Sequence, residues 1–412
     1  MTNKNSESVL NCIRYLNVAG MVWIVASSLF HFVSLPKFFS FGGLILFFAT
    51  WVAEFIMEQR WRNFNIKSGR TIYFLLFFVF FLLPFLYLPW DTSTHFKRLM
   101  EYRYPLLGFG LVGMFGLNSL YTVRRFFTVF IVLACCACLW LISNMNFSVT
   151  DFGEFKYQLS LLRISKINAH MGFNFFLNTA LVGVWYILFH RREGLSVFAC
   201  CLYALGGLVC LAMLMMTEGR TGYAMAILLV SFILTYEAFV WRKWAGILVL
   251  VAGMSATGFM LSSHRRISVD KLQTELRLCY WKSAVELIKE KPLTGYGISR
   301  AQDEFSKVSM KYVTDDNVRA YWEPYVKRID THNQYLQCLL ETGVAGLLLL
   351  LVLYVMPVVI DNRHRVLTLV LMAMCWMQSV FDMFITGQFC AIFCLITLIC
   401  LVAEQTSPDE TA

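Results

Sequence analysis

The sequence predicts an all-α integral membrane protein with about twelve transmembrane helices and one helical lobe outside the cytoplasm, between the ninth and the tenth helix. Apolar residues make up 58% of the 412 residues and charged residues only 15%, which leaves too little polar surface for a soluble protein of this length. The apolar residues form runs of about 20, the length at which a helix crosses the hydrocarbon core of a bilayer. Lys and Arg gather in every second loop between these runs.

Twelve such runs follow one another along the chain. They cover residues 15–34, 38–57, 71–90, 105–121, 126–146, 169–189, 195–216, 221–240, 244–262, 336–360, 366–385 and 388–403. The first run is long enough to span the bilayer and is not followed by a small-residue cleavage site, so we expect it to stay as the first helix. The fourth and twelfth runs are short, and only Thr217-Glu218-Gly219-Arg220 separates the seventh from the eighth.

The distribution of basic residues tests this topology independently. Cytoplasmic loops carry an excess of Lys and Arg, and with twelve alternating spans these loops follow the even-numbered runs. The basic residues found there are Arg60, Arg62, Lys67 and Arg70; Arg124 and Arg125; Arg191 and Arg192; Arg242 and Lys243; and Arg363 and Arg365. We therefore expect both termini on the cytoplasmic side.

The longest polar segment, residues 263–335, lies on the opposite side and holds thirteen of the thirty-five Lys and Arg residues and ten acidic residues. Within it, Asp270 to Glu290 has the spacing of an amphipathic helix, which Pro292 and Gly295 end. The predicted divisions are a nine-helix membrane region (1–262), the lobe (263–335), the C-terminal membrane helices (336–403) and a cytoplasmic tail (404–412).

Two arginines on the outer side are candidate anion ligands. Arg220 stands between two apolar runs, where an arginine is disfavoured unless something binds it; pairing with Glu218 or with lipid headgroups explains it as well. Arg277 lies one turn before Trp281 on the predicted lobe helix, on the side of its apolar residues. Taken alone, Arg277 is explained more simply by a salt bridge within the lobe.

His332 comes just before the tenth run, in Thr331-His332-Asn333-Gln334. Thr331 and Gln334 have the spacing of a capping box, which predicts His332 on the first turn of a helix. The helix N-terminus and the nearby arginines both disfavour imidazolium, so we expect a neutral His332 that can accept a proton near pH 7. A single histidine at an interface is nevertheless more often structural.

Other chemistry has little support in the sequence. It lacks HExxH, paired CxxC, P-loop and GxSxG motifs, so we expect no metal and no other cofactor, and no nucleic-acid partner. Most of the thirteen cysteines lie within apolar runs and are expected to be packing residues. Glu341 and Asp382 lie in or near runs, where a hydrogen bond between helices is their expected use.

Four motifs occur in order along the chain. They are Glu218-Gly219-Arg220-Thr221-Gly222; Arg277 with Trp281; Pro292-Leu293-Thr294-Gly295-Tyr296-Gly297; and His332-Asn333-Gln334-Tyr335-Leu336, continuing to Glu341-Thr342-Gly343. With the large outer loop between the ninth and tenth runs, they resemble the O-antigen ligase and polymerase superfamily of bacterial membrane proteins, and the ligases most. The resemblance covers residues 160–360.

This resemblance implies a glycosyltransferase of the bacterial inner membrane that acts on the periplasmic face. Its donor would be a glycan on undecaprenyl diphosphate, and its acceptor a sugar hydroxyl of the lipid A core, both presented by membrane lipid. His332 would be the general base, and Arg220 and Arg277 would hold the diphosphate without a metal, in an inverting reaction. Further candidates for the diphosphate are Arg163 and, with weaker support, Lys97, Arg98 and Arg103. The supporting residues would be Asn333, Trp281, Glu218 and Glu341.

Two other functions fit parts of the sequence. A polymerase of the same superfamily would use the same donor but extend a second carrier-linked glycan. A secondary transporter also suits twelve spans, but its polar residues should cluster near the bilayer midplane at broken helices related by a repeat. Here the basic residues gather on one face, outside the runs, which favours an enzyme at the membrane surface.

Overall fold

A computed structural model describes residues 2–30, 37–87, 103–145, 153–155, 157–159, 170–216, 220–263 and 276–403. Over these residues the regular structure is helical and contains no strand. The predicted tail (404–412) and the polar segment around Arg163 lie outside them.

Twelve described helices correspond to the twelve apolar runs. They are α1 (Thr2–Leu29), α2 (Lys37–Met57), α3 (Gly69–Leu82), α4 (Pro105–Phe115), α5 (Val123–Ser143), α6 (His170–His190), α7 (Val197–Met216), α8 (Arg220–Trp241), α9 (Lys243–Ser263), α13 (Gln334–Ile360), α14 (Arg365–Phe381) and α15 (Gly387–Val402). Short 3₁₀ turns at Arg60–Asn63 and Leu83–Tyr87 flank α3.

Seven of these helices, α1, α3 with the turn that follows it, α5, α6, α7, α8 and α13, are long and apolar enough to cross a membrane. Within the described residues, the apolar stretches of the remaining five helices are shorter, from 10 to 17 residues. Over its described residues the chain is therefore an all-helical, multi-pass membrane protein, and the count of twelve spans stays a prediction. Several helices end earlier than predicted; α4, for example, stops before Gly116, whose φ of 94° cannot continue a helix, and α14 stops at Phe381.

The membrane helices pack around a core rich in phenylalanine, which includes Phe74, Phe109, Phe130, Phe176 and Phe393. Aromatic pairs with edge-to-face geometry and rings about 5–7 Å apart add to the burial of their area. The helix α13 contacts α3, α14 and α15 within this core and also reaches the lobe. Its first turns therefore lie where the membrane region and the lobe meet.

The described part of the lobe contains three further helices, α10 (Leu276–Glu290), α11 (Ile298–Val308) and α12 (Asp316–Trp322), and a 3₁₀ turn at Glu323–Arg328. They enclose a separate hydrophobic cluster in which Tyr280 and Leu287 of α10 pack with Phe305 of α11 and Leu340 of α13. Part of the apolar face of α10 is therefore covered by protein. The predicted residues 270–275 of this helix lie outside the described residues.

The motif that ends at Gly297 packs against the motif that ends at Gly343. At Gly343 the backbone of α13 leaves the helical conformation (φ 63°, ψ −157°), which frees carbonyl groups in the preceding turn. The backbone N–H groups of Tyr296 and Gly297 donate to the carbonyls of Leu340 (2.7 Å) and Glu341 (2.9 Å). A Cβ on Gly295 would lie 2.7 Å from the carbonyl oxygen of Leu340, so this close approach requires glycine. The loop after α10 is thereby fixed to α13.

Candidate active site

The backbone around His332 differs from the predicted capping box. The N-cap of α13 is Asn333, whose side-chain oxygen accepts from the N–H groups of Tyr335 (3.0 Å) and Leu336 (2.9 Å), so the helix begins only at Gln334. Asparagine is among the best N-cap residues, which explains why it displaces Thr331 from this role. His332 thus precedes the helix, with a φ of 45° that non-glycine residues rarely adopt. Such strained backbone is concentrated at functional sites.

The His332 imidazole lies between two carboxylates. Its Nδ1 is 3.4 Å from Oδ1 of Asp330 and 3.8 Å from Oδ1 of Asp382. One ring face stacks on Tyr280, and 41% of the side chain remains exposed. Since Nδ1 faces the acids, Nε2 is the nitrogen available to a substrate. This is the arrangement in which an acid orients a histidine that acts as a base.

The expectation of a neutral His332 is wrong in its direction. Burial lowers the pKa of His332, but the interaction with Asp382 and the charges of Asp330 and Asp382 outweigh it, so the pKa lies above its usual value. The positive charge of Arg277 opposes this increase without reversing it. The expectation of a neutral imidazole rested on the helix N-terminus and the arginines and took neither acid into account. Asp330 could have been found two residues before His332, whereas the approach of Asp382 needs the folded chain.

The lobe helix α10 is joined directly to the His332 loop. Trp281 Nε1 donates to the carbonyl oxygen of Thr331 (3.1 Å), and its ring packs against Phe381 at the end of α14. Arg277, one turn earlier on α10, is half-buried and close enough to His332 for its charge to lower the pKa of that residue. The structure therefore brings Arg277, Trp281, Asn333 and His332 together.

The other predicted arginines are only partly described. The backbone of Arg220 begins α8, and the next turn packs on α6, where Asn178 Nδ2 lies 3.4 Å from the carbonyl oxygen of Gly222. The side chain of Arg220 and all of Glu218 and Arg163 lie outside what the structure describes. Their place in the site stays a prediction.

Glu341 is buried and paired with a cation. Its Oε2 is 2.6 Å from Nη2 of Arg103, and the two side chains are 1% and 2% exposed. Arg103 was a weak candidate for the donor diphosphate, and its guanidinium is instead directed at Glu341. Glu341 was expected to form a hydrogen bond to another helix. Its charged partner, Arg103, lies two residues before α4.

Within the described ranges, no three His, Cys, Asp or Glu side chains are grouped so that they could hold a metal ion. The chemistry that this arrangement supports is proton transfer by His332 beside an arginine that can bind an anion. Fold and site together define a multi-pass membrane protein with a carboxylate-flanked histidine between its membrane helices and a helical lobe.

A comparison with protein families agrees with this description. The family model described as O-antigen ligase matches residues 205–351, a segment that holds Arg220, Arg277, His332 and Glu341. Over this segment, the match confirms the resemblance to the O-antigen ligase and polymerase superfamily that the motifs indicated. A search of the curated proteins gives no match.

Proposed function

We propose that this protein is an O-antigen ligase, which transfers a polysaccharide from undecaprenyl diphosphate to a sugar hydroxyl of the lipid A core on the periplasmic face of the inner membrane. The observation that supports this most is the half-exposed His332, whose Nδ1 faces Asp330 and Asp382, inside a segment that matches the O-antigen ligase family.

The reaction needs one proton acceptor and one anion stabiliser. His332 Nε2 takes the proton of the acceptor hydroxyl as the oxygen attacks the anomeric carbon, and the bond from that carbon to the diphosphate oxygen breaks on the opposite side. The bonding electrons leave with the diphosphate, so the anomeric centre is inverted. Asp330 and Asp382 favour the imidazolium that forms at His332.

The leaving diphosphate gains negative charge, which a nearby guanidinium can offset without a metal ion. Arg277 is the described residue in the right place, since it lies on α10 near His332. We propose that Arg220, at the start of α8, is a second ligand of the diphosphate. Arg163 is proposed as a third, on the strength of its predicted position on the outer side.

The lipopolysaccharide pattern of cells that lack this protein tests the proposal. We expect the polymer ladder on lipid A core to disappear while long, carrier-linked polymer accumulates. Lipid A core that carries a single repeat unit would instead identify a polymerase, which remains the alternative because the family match covers both. An unchanged ladder would contradict both enzymes and return the transporter to consideration.

Replacing Arg277 should weaken the use of the donor. A hydrogen bond to a charged group contributes about 1.5–3 kcal/mol, so we expect Arg277→Ala to lower kcat/KM for the carrier-linked donor by roughly ten- to a hundredfold. Steady-state kinetics with a purified donor measure this effect. The control is Arg300→Ala, at an exposed position of α11 in the same lobe. Equal kcat/KM in the Arg277 variant and the wild type would exclude Arg277 as a ligand of the diphosphate.

The rate should rise with pH through the pKa of His332, because a general base acts in its deprotonated form. Asp382→Asn removes one of the two charges that raise this pKa, so the acid limb of the profile of kcat/KM should move to lower pH. The maximal rate should also fall, because the imidazole loses a partner that orients it.

The control for this pH profile is Asp303→Asn, an exposed carboxylate on α11, which should leave the acid limb in place. An acid limb that stays in place or moves to higher pH in Asp382→Asn would show that Asp382 does not act on the base.

A further inference from the structure

The ion pair between Arg103 and Glu341 is the strongest buried feature that the proposed reaction does not use. Its Nη2–Oε2 distance is 2.6 Å, and both side chains are almost completely buried. Burying two charges costs more desolvation free energy than an isolated pair commonly returns. Moreover, Nε of Arg103 has no hydrogen-bond partner among the described residues. A contribution to the stability of the fold is therefore a poor explanation for this ion pair. An ionisable residue within a membrane region is instead a candidate for a functional role.

Glu341 uses its two oxygens for different partners. While Oε2 binds Arg103, Oε1 accepts a hydrogen bond from Nε2 of Gln337, one turn earlier on α13 (2.8 Å). The other end of that amide, Gln337 Oε1, lies 3.2 Å from the hydroxyl of Thr331, whose single proton is shared between this oxygen and the carbonyl oxygen of Asn333 at 2.8 Å. A continuous chain of buried contacts thus runs from Arg103 to the residue that precedes His332.

The backbone of Glu341 carries a further connection. Its carbonyl oxygen accepts from the N–H of Gly297 (2.9 Å), in the loop that joins α10 to α11. Glu341 therefore meets the membrane region through Arg103, the lobe through Gly297 and the His332 loop through Gln337. A residue with these three connections can fix the histidine relative to both parts of the molecule.

We propose that Glu341, held by Arg103, is a positioning residue of the transfer reaction: it orients Gln337, and through Thr331 it fixes the loop that presents His332. The proposal rests on the proposed function of His332 as the base. The left-handed backbone at His332 needs support from its surroundings, and this chain of hydrogen bonds supplies it from inside the membrane region.

The two partners of Glu341 make the proposal testable, because a glutamine has only one acceptor oxygen. Because Arg103 and Gln337 donate to different oxygens of Glu341, the amide oxygen of Glu341→Gln can face only one of them, and its NH2 group, itself a donor, then faces the other donor. We expect kcat to fall on the order of a hundredfold, as for a misplaced catalytic group, while KM for donor and acceptor changes little. In the double variant Arg103→Met with Glu341→Gln, the amide oxygen is free to accept from Gln337, and kcat should largely recover.

The control uses a second buried ion pair of the same length. Arg60 and Glu54 are 2.6 Å apart and 7% and 0% exposed, and Arg60 also bonds to the carbonyl of Gly116, at the end of α4 away from Arg103. Glu54→Gln and its double variant with Arg60→Met should affect the yield of folded protein but not kcat per folded molecule.

The experiment compares kcat and KM of these purified proteins, each normalised to the monodisperse folded fraction. A wild-type kcat in Glu341→Gln, or a double variant no more active than the single one, would overturn the proposal. If Glu341→Gln does not fold, Gln337→Met is tested instead, because it interrupts the chain of hydrogen bonds without leaving an unpaired charge. We expect its kcat to fall, and an unchanged kcat would overturn the proposal. Absence of transfer by the wild type would instead refute the proposed function.

Discussion

His332→Ala is expected to abolish the transfer of polymer to lipid A core while the protein stays in the membrane at its normal level. General-base catalysis contributes about 10²–10⁴-fold in rate, and a loss of this size removes the ladder from a lipopolysaccharide gel. The folded protein should persist, because the His332 side chain is 41% exposed and precedes the cap of α13. The measurement is a gel of complemented cells with an immunoblot of the membranes.

The matched control is His190→Gln. His190 also contacts a carboxylate, with Nε2 3.0 Å from Oε1 of Glu237, but it ends α6 on the predicted cytoplasmic side. Its variant should keep the ladder. A ladder of normal intensity in His332→Ala would exclude His332 as the base. If the ladder disappears because the amount of the variant protein in the membrane falls, the role of His332 is structural.

Gly343→Ala is expected to prevent folding of most of the protein. The backbone of Gly343 (φ 63°, ψ −157°) is accessible almost only to glycine, and such strain costs about 1–3 kcal/mol in another residue. A Cβ there would also lie 2.2 Å from the carbonyl oxygen of Leu293, a backbone atom that cannot move independently. Because the loop after α10 docks at this point, the variant should separate the lobe from α13.

Size-exclusion chromatography and thermal unfolding in detergent measure this effect. Gly253→Ala is the control, since among the described side chains a Cβ on Gly253 of α9 would meet that of Ser231, at an ordinary contact distance of 3.5 Å. It should fold with a melting temperature close to that of the wild type. A Gly343→Ala protein of normal yield and stability would show that the interruption of α13 is not required by its contact with the lobe.

The helices were largely predictable, because hydrophobic length and charge in alternate loops are local properties of the chain. All twelve apolar runs coincide with described helices for most of their length, although how many of them cross the membrane stays a prediction. The interruption at Gly343 escaped prediction, because it depends on the backbone of Leu293 approaching α13 from a distant part of the sequence.

For the site, residue types and motif order identified His332, Arg277 and Trp281, which the structure brings together. The features of the site that were not predicted depend on contacts between residues that are far apart in the sequence. Asp382 lies fifty residues from His332 in the numbering of the chain, and together with Asp330 it reverses the expected direction of the histidine pKa. Likewise, nothing local links Arg103 to Glu341, and their pairing changes Arg103 from a candidate ligand into a candidate support of the active site.

Transfer by the purified protein tests the central claim most directly. The protein is reconstituted in vesicles with a glycan on undecaprenyl diphosphate and with lipid A core, and both glycosylated core and released undecaprenyl diphosphate are quantified. We expect equal amounts of the two products with the wild type and neither product above background with His332→Ala. No product with the wild type, or equal product with both proteins, would contradict it.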